Sequence, residues 1–224
     1  MVVCREVNLL TSLPKARRDV NARGYDKTPE VIATAKKFGV EYFDGDRKYG
    51  YGGYRFDGRW QPVAKSLIKF FGLKRRMRVL DIGCAKGFLV RALKLEFPKL
   101  EVCGIDISRY ALDNCPPGIG HLLEQYSATE LPYMDNLFDL VISINTLHNL
   151  PRPELVKALR EIERVTARSG NAYIVVDSYR TPEEKALFEK WCLTAEFHGY
   201  PHEWLAVFEE AGYTGYYSWN ILTE

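Results

Sequence analysis

Residues 77–87 read MRVLDIGCAKG, an apolar run that stops on Asp81 and passes into a turn with two glycines. The run has the short, continuous apolar character of a parallel strand that is buried on both faces. Glycine in the turn lets backbone approach a ligand where a side chain would block it. The apolar residues that follow, Phe88, Leu89, Ala92, Leu93 and Phe97, recur at helical spacing. The segment therefore predicts a strand, a glycine turn and a helix, a unit that commonly holds a nucleotide-type ligand.

Two classes of ligand use such a turn, and the spacing of the glycines separates them. A dinucleotide site favours G-x-G-x-x-G, whose backbone amides cradle a pyrophosphate. Here only Gly83 and Gly87 are present, with Ala85 between them. Asp81, directly before the turn, would repel a phosphate and suits a cationic group such as the ammonium of a methionine moiety. A Rossmann-like domain for another nucleotide remains the main alternative at this point.

The motif DIGCAKG resembles the first motif of the class I S-adenosylmethionine-dependent methyltransferases, D/E-x-G-x-G-x-G, with Ala85 at the middle glycine. Further segments resemble the family's landmarks in the family's order: VCGIDIS, YSATELPYMDNLFDLVIS, INTLHNL and SGNAYIVVDS. The resemblance covers residues 77–178. It implies S-adenosyl-L-methionine as the cofactor and places Asp106 where a carboxylate bridges the ribose hydroxyls. The acid that accepts the adenine amino group in many relatives is replaced by Ser127.

The resemblance also implies a set of cofactor-binding positions in this chain. They are Asp81, Gly83, Cys84, Ala85, Gly87, Asp106, Ile107, Ser127, Ala128, Thr129 and Asn145. At residues 127–129 we expect backbone groups to serve the adenine. Cys84 is expected to be a small buried residue, because direct methyl transfer needs no covalent intermediate.

The predicted fold class is α/β, with a doubly wound, mostly parallel, seven-stranded Rossmann-like sheet. Residues 1–75 are expected to form an N-terminal helical cover with a Gly/Tyr-rich lid segment, and residues 76–224 the S-adenosylmethionine-binding methyltransferase core. Helices are predicted for PEVIATAKKF, after a Thr28 cap, and for residues 61–71. The terminal GYTGYYSWNIL is expected to form a β-hairpin with one antiparallel strand, as in the family. His121 is assigned to the third core strand.

The segment EYFDGDRKYGYGGYRFDGRW is rich in glycine and aromatic residues. One interpretation is a cover over the active site, in which tyrosine faces contact a sulfonium or an amine. The other is a rigid surface loop held by its own aromatic residues. The first interpretation makes Tyr51, Tyr54 and Trp60 substrate-binding residues, with His198 and His202 as a second wall.

Methyl transfer needs an acceptor lone pair in line with the C–S bond, and orientation alone can supply about 7–11 kcal/mol of the barrier reduction. An amine needs no base, whereas a hydroxyl is expected to need one. Ligand crevices of α/β sheets lie beyond the carboxyl ends of the strands, where His148 follows the fourth core strand. His148 is the candidate catalytic base, and capping or packing of the next helix is its alternative role. Only Asp177 is an obvious acid after the fifth strand, which favours metal independence.

The composition restricts the partners. The 224 residues carry a net charge of only +2, with both signs mixed, so neither nucleic acid nor membrane is an expected partner. Five cysteines without metal spacing are typical of reduced thiols, and the N-terminus has no signal-peptide pattern, which predicts a cytoplasmic protein. We therefore predict methyl transfer to an N or O atom of a small polar metabolite, in a biosynthetic or surface-sugar pathway. The alternatives are an RNA or protein methyltransferase, or a non-catalytic binding protein.

Overall fold

The computed structural model describes residues 4–14 and 18–223, and places the run around Val79 in the centre of a seven-stranded sheet. All strand pairs are parallel. The strands are β1 (Arg5–Glu6), β2 (Arg78–Ile82), β3 (Glu101–Asp106), β4 (Leu123–Gln125), β5 (Phe138–Ile144), β6 (Thr166–Ser178) and β7 (Tyr216–Ile221). The helices are α1 (Val20–Asp26), α2 (Pro29–Ala35), α3 (Val40–Phe43), α4 (Trp60–Phe70), α5 (Phe88–Glu96), α6 (Arg109–Asp113), α7 (Arg152–Val165), α8 (Pro182–Trp191) and α9 (Pro201–Ala211).

The order of the strands in the sheet is β1-β7-β6-β5-β2-β3-β4. From β2 the chain builds outward through β3 to β4, and from β5 it builds in the opposite direction through β6 to β7. The order therefore reverses between β2 and β5, and a ligand crevice is expected beyond their carboxyl ends. The predicted fold class, a doubly wound and mostly parallel sheet of Rossmann-like type, is confirmed.

The central strands are continuously apolar because helices cover both faces of the sheet. Val79 points into the core that includes residues of α4 and α5, and its neighbour Leu80 points into the core that includes α7 and α9. The same alternation continues in β6, where Tyr173 and Ile174 enter opposite cores and are fully buried. The sheet is therefore held rigidly, which fixes the loops at its carboxyl end.

The predicted C-terminal hairpin is wrong. The segment forms one strand, β7, which pairs in parallel with β6, from Tyr173↔Tyr216 to Ser178↔Ile221. A parallel neighbour requires a crossover connection, and α8 and α9 supply it. The seventh strand comes instead from the N-terminal segment, where Arg5 pairs with Tyr216. Partial alternation in a sequence shows which side chains share a face, but not the direction of the strand beside it.

The N-terminal helices agree with the sequence patterns. Thr28 caps α2 by accepting a hydrogen bond from the Val31 backbone at 3.3 Å. Val63 and Leu67 on α4 are fully buried in the core that includes α5. His121 lies in a short 3-10 turn, Gly120–Leu122, just before β4 rather than in the strand itself. The division into residues 1–75 and 76–224 stays a prediction, and β1 places part of the first segment in the sheet.

Within residues 4–14 and 18–223, no helix is both long enough and apolar enough to cross a membrane.

The close packing between Gly104 on β3 and the glycine turn can be tested by substitution. A Cβ at this position would lie 2.8 Å from both Cβ and Sγ of Cys84. We expect Gly104→Ala to lower the free energy of unfolding by about 1–3 kcal/mol, because Cys84 and its turn must shift. Gly120→Ala is the matched control, since its Cβ would meet nothing nearer than Cys115 Sγ at 3.5 Å. Urea denaturation measures both, and equal losses in the two variants would contradict the tight contact.

Candidate active site

A cleft of about 1100 Å³, including its open mouth, lies at the carboxyl ends of β2, β3 and β5. This is the crevice expected at the reversal of strand order. Its lining residues come from the strand ends and from the N-terminal segment: Phe38, Tyr42, Phe43, Tyr51, Tyr54, Trp60, Asp81, Ile82, Gly83, Cys84, Ala85, Leu89, Ile105, Asp106, Ile107, Tyr126, Ser127, Ala128, Ile144, Asn145, Thr146, Asn149 and Leu150.

Asp81 closes β2 and faces this cleft as a buried carboxylate. Its side chain is 4% exposed and accepts a hydrogen bond from none of the described residues. Burial, followed by the nearby charge of Asp106, raises the pKa of Asp81 to about 7. A buried carboxylate without a partner is costly. The position therefore has the chemistry of a site for a cationic ligand group.

The turn after Asp81 is held by unusual backbone conformations. Gly83 has φ +74°, and a Cβ there would lie 2.1 Å from Thr146 Oγ1. Ala85 also has a positive φ, 51°, which costs a non-glycine residue about 1–2 kcal/mol. Its backbone N–H donates to Asp106 Oδ2 at 2.8 Å. The left-handed conformation explains why glycine suits this position, and the hydrogen bond ties the turn to the end of β3.

Asp106 presents a carboxylate with capacity left for a ligand. Oδ1 accepts from the Ser108 backbone at 2.8 Å, and Oδ2 accepts from Ala85. Burial raises the pKa of Asp106, and the backbone hydrogen bonds partly offset this effect. Each carboxylate oxygen has a further lone pair. Asp106 can therefore accept hydrogen bonds from two ligand hydroxyls while it keeps its backbone contacts.

Beyond Asp106 the cleft ends in an accessible apolar groove. Ile107 is 55% exposed and Tyr126 is 41% exposed, although both line the cleft. The Ser127 hydroxyl lies 2.8 Å from the Thr129 hydroxyl, and Thr129 itself is outside the lining. Gly87 is also outside the lining, as the residue before α5. The remaining predicted cofactor positions, from Asp81 to Asn145, all line the cleft.

Residues 38–60, which we call the aromatic lid, form the opposite wall of the cleft. Tyr51, Tyr54 and Trp60 line it, together with Phe38, Tyr42 and Phe43, and their contact with a substrate stays a prediction. The rings of Tyr51 and Tyr54 are 4.3 Å apart, and Tyr54 stacks on Phe88 of α5 at 4.5 Å. The segment is therefore held by its own aromatic contacts and also bounds the cleft, so the two interpretations of the sequence describe one structure.

Three polar contacts fasten the aromatic lid to the segments that follow β2 and β3. The Lys86 ammonium, which is buried, donates to Asp44 Oδ2 at 2.5 Å, and the Tyr110 hydroxyl donates to the same oxygen at 2.7 Å. The Ser108 hydroxyl donates to the Phe38 carbonyl at 2.5 Å. Burial raises the pKa of the Asp44 carboxyl, but the hydrogen bonds from Lys86 and Tyr110 outweigh it and leave that pKa lowered. The lid is therefore held to the turns that bound the cleft.

Three histidines predicted for the site lie outside the cleft lining. His148 is 4% exposed; its Nε2 is 3.5 Å from Asp177 Oδ2, and its Nδ1 accepts from the Asp177 backbone at 3.4 Å. His198 contacts the Tyr179 hydroxyl at 3.0 Å, and His202 stacks on Tyr200 in the first turn of α9. The structure therefore does not bring His148 into the cleft as a base, nor His198 and His202 together as a second wall.

Several lining residues gave no separate signal in the sequence. Phe38, Tyr42 and Phe43 belong to an aromatic-rich stretch, which indicated a lid but not which rings face the cleft. Asn149 follows His148 in the short 3-10 turn after β5, and nothing in its spacing distinguishes it. In the part of the chain that the structure describes, no group of three or more His, Cys, Asp and Glu side chains could hold a metal ion.

Comparison with known proteins shows what this chain is similar to. Residues 79–170 match a family described as a methyltransferase domain. The ubiquinone/menaquinone biosynthesis C-methyltransferase of Bdellovibrio bacteriovorus is 29% identical over 67% of this chain and 63% of its own length. The malonyl-[acyl-carrier protein] O-methyltransferase of Geobacter sulfurreducens is 33% identical over 42% of this chain and 36% of its own length. The chain thus spans less than two thirds of these relatives.

Among solved structures, the YcgJ protein of Bacillus subtilis is similar with a TM-score of 0.54, 25% identity and 66% coverage of each chain. A methyltransferase-like protein from Bacillus halodurans matches with a TM-score of 0.53 and 22% identity, over 66% of this chain and 67% of its own, which supports the fold alone. The family implies S-adenosyl-L-methionine as the cofactor, and Asp81, the glycine turn and Asp106 fit it. Over residues 79–170 the chain is therefore similar to the class I S-adenosylmethionine-dependent methyltransferases.

Proposed function

We propose that this protein transfers a methyl group from S-adenosylmethionine to an N or O atom of a small polar metabolite. The observation that carries the proposal is the buried Asp81 carboxylate, which faces the cleft without a partner among the described residues. Burial without a partner is unfavourable unless a ligand supplies the missing positive charge. The ammonium of the cofactor's methionine moiety has the required chemistry.

The other lining residues supply complementary roles. Asp106 accepts hydrogen bonds from the ribose hydroxyls, and the turn from Gly83 to Ala85 gives backbone close access to the ligand. Ile107 and Tyr126 provide apolar surface for the adenine. When bound, the cofactor supplies an electrophilic methyl group that an acceptor lone pair attacks as the C–S bond breaks. The chain's contribution is then to bind, orient and exclude water.

The aromatic lid supports a small acceptor over a polymer. It is fastened to Lys86 and Ser108, on two loops that bound the cleft, so an acceptor must fit beneath it. The net charge of +2 gives no electrostatic reason to bind nucleic acid. The two relatives named above act, by their names, on a quinone precursor and an acyl-carrier protein, and those acceptors are the alternatives that an assay must separate from ours.

The proposal is tested by incubating the protein with isotope-labelled S-adenosylmethionine and a nuclease-treated metabolite extract. We expect one labelled methyl group on a small molecule, identified by mass spectrometry. Purified RNA, acyl-carrier protein and total protein serve as parallel acceptors. Label confined to a macromolecule, or to a ring carbon, would overturn the proposed acceptor class.

Asp81 should make the free protein less stable as the pH rises. Because the folded state raises the pKa of Asp81 to about 7, it holds a proton that the unfolded chain releases near pH 4. The free energy of unfolding therefore falls between about pH 4 and pH 7. We expect Asp81→Asn to be more stable than the parent by on the order of 2–4 kcal/mol above pH 7, and no more stable at pH 4. Denaturation over a pH series measures this.

The same variant should lose the cofactor. Calorimetry with S-adenosylhomocysteine is expected to show binding by the parent and at least tenfold weaker binding by Asp81→Asn. Asp113→Asn on the exposed face of α6 is the matched control, since Arg109, one turn earlier, is the one ion-pair partner of Asp113 among the described residues. Unchanged affinity in Asp81→Asn would remove the ammonium contact from the proposal.

His148→Gln tests the predicted base directly. Its side-chain contacts favour a role in holding the turn after β5, because Nδ1 accepts from the Asp177 backbone at 3.4 Å and Nε2 lies 3.5 Å from Asp177 Oδ2. We expect the variant to lower the melting temperature and to keep turnover per folded molecule within about tenfold of the parent. A loss of about 10²–10⁴ in kcat, together with one limb of the pH profile, would instead support general base catalysis.

A further inference from the structure

The charges that line the cleft have one sign. Asp81 and Asp106 are both acids, and none of the lining residues in the described ranges is lysine, arginine or histidine. A third carboxylate, Asp177, lies near enough to raise the pKa of Tyr42 and Tyr51 on the lid, although burial is the larger cause. A cleft of this kind repels carboxylates and phosphates and attracts neutral or cationic molecules.

The nearest cations are committed to other contacts. Lys86 in the glycine turn is paired with Asp44 at 2.5 Å and lies outside the cleft lining. Arg23 donates to the carbonyls of Arg47 and Gly50, at 2.6 and 2.8 Å. Arg47 in turn donates to the Tyr51 carbonyl at 2.6 Å. These guanidinium groups hold the backbone of the aromatic lid and do not line the cleft, so they do not reverse its charge.

The cleft also lacks a free proton acceptor for a hydroxyl substrate. Asp81 and Asp106 are the only carboxylates among its described lining residues, and both are assigned to the cofactor. His148 is buried behind the turn after β5, against Asp177. Burial raises the pKa of Tyr42 and Tyr54 well above that of a free phenol. Both hydroxyls therefore stay protonated at neutral pH, and little of the basic phenolate form is present. An acceptor that needs no base fits this arrangement best.

One polar atom in the wall has no partner. Asn149 lines the cleft, and its Oδ1 is buried without a hydrogen bond from any described residue. A buried carbonyl oxygen left unpaired is unfavourable by about the cost of a lost hydrogen bond, so most such atoms have a partner. Unlike the Asp81 carboxylate, the Asn149 side-chain oxygen is uncharged, and it can accept a hydrogen bond but cannot donate one. It therefore indicates a ligand that donates an N–H or O–H at this point of the wall.

We propose that the methyl acceptor is a small amine, and that Asn149 Oδ1 accepts a hydrogen bond from its N–H so that the nitrogen lone pair faces the cofactor's methyl group. This inference rests on the proposed function and narrows its acceptor from N or O to N. The aromatic rings of Tyr42, Tyr51 and Tyr54 provide the apolar and cation-binding faces around the amine.

The transfer balances without a further reactant. The neutral amine's lone pair forms the N–C bond as the S–C bond breaks, and the positive charge passes from sulfur to nitrogen. The product ammonium keeps its N–H donated to Asn149 and loses a proton to solvent after release. An amine that is protonated at neutral pH gives that proton to solvent before it binds, so the attacking species is the free amine, and the chain needs only to orient it and strip it of water. The aromatic rings and the carboxylates then stabilise the cation that forms.

The acceptor class is tested on a metabolite extract separated by ion exchange at neutral pH. The fractions are those retained by a cation exchanger, those retained by an anion exchanger, and the unretained remainder. Each is incubated with the protein and methyl-labelled S-adenosylmethionine, and the labelled atom is located by fragmentation in the mass spectrometer. We expect label on nitrogen, in the cation-retained fraction. Label in the anion-retained fraction, or on oxygen or carbon, overturns the inference while leaving methyl transfer itself intact.

Failure of the proposed function has a different signature. If S-adenosylhomocysteine binds but no fraction is labelled, the proposed transfer to a small molecule fails, and the inference that rests on it fails with it. If neither ligand binding nor label is found, the cofactor assignment fails as well. Only label on a small molecule at an atom other than nitrogen rejects the amine while keeping the broader proposal.

The role of Asn149 is tested with two variants of nearly equal size, using the labelled cation-retained fraction as substrate. Asn149→Leu removes the acceptor oxygen, and we expect kcat/KM to fall about 10- to 100-fold. Asn149→Asp keeps an acceptor oxygen, and we expect kcat/KM within about threefold of the parent. S-adenosylhomocysteine should bind both with the parent's affinity, which also shows that both are folded. Equal losses in the two variants, or no loss in Asn149→Leu, would overturn the assignment.

Discussion

The structure depends on one unfavourable arrangement, a carboxylate that is buried at the end of the central strand. Asp81 is surrounded by the sheet and the glycine turn, and the described residues offer it no hydrogen bond. Protein interiors tolerate such a group when a ligand completes it. The strained turn beside it has the same character: Ala85 adopts a left-handed conformation that its neighbours enforce. The burial of Asp81 lowers the stability of the free protein, and a bound cation would restore that stability.

The aromatic lid converts that local site into a closed one. Lys86 belongs to the same turn as Ala85, and its ammonium reaches across to Asp44 on the lid. On the β3 side, Ser108 follows Asp106 closely and holds the Phe38 carbonyl. The loops after β2 and β3 therefore bound the cofactor region and also hold the lid. Any movement that loosens one of these turns must also disturb the wall that faces the acceptor, so the two binding regions are mechanically connected.

The selectivity of the cleft depends on its aromatic and acidic lining residues and on the exclusion of lysine and arginine side chains from that lining in the described part of the chain. Arg23 and Arg47 donate to backbone carbonyls of the lid and do not line the cleft, and the lysine of the turn is neutralised by Asp44. What faces the ligand is aromatic surface, two carboxylates and the unpaired oxygen of Asn149. Such a surface favours a molecule that brings N–H donors and partial positive charge. This separates the acceptor we infer from the malonyl-[acyl-carrier protein] in the name of the Geobacter sulfurreducens relative.

The sequence alone determined the features that local physics controls. The apolar run ending on Asp81, the glycine turn and the second acid, Asp106, are contiguous patterns, and their place at the ends of parallel strands follows from the rules of α/β sheets. The tertiary structure decided whatever depends on contacts distant in the chain. It made β7 parallel, placed β1 at the edge, kept His148 against Asp177 outside the cleft, and left Asn149 Oδ1 without a partner. Periodicity shows which face of an element is apolar. Only tertiary packing determines which buried polar atoms have a hydrogen-bond partner within the chain and which are left unpaired.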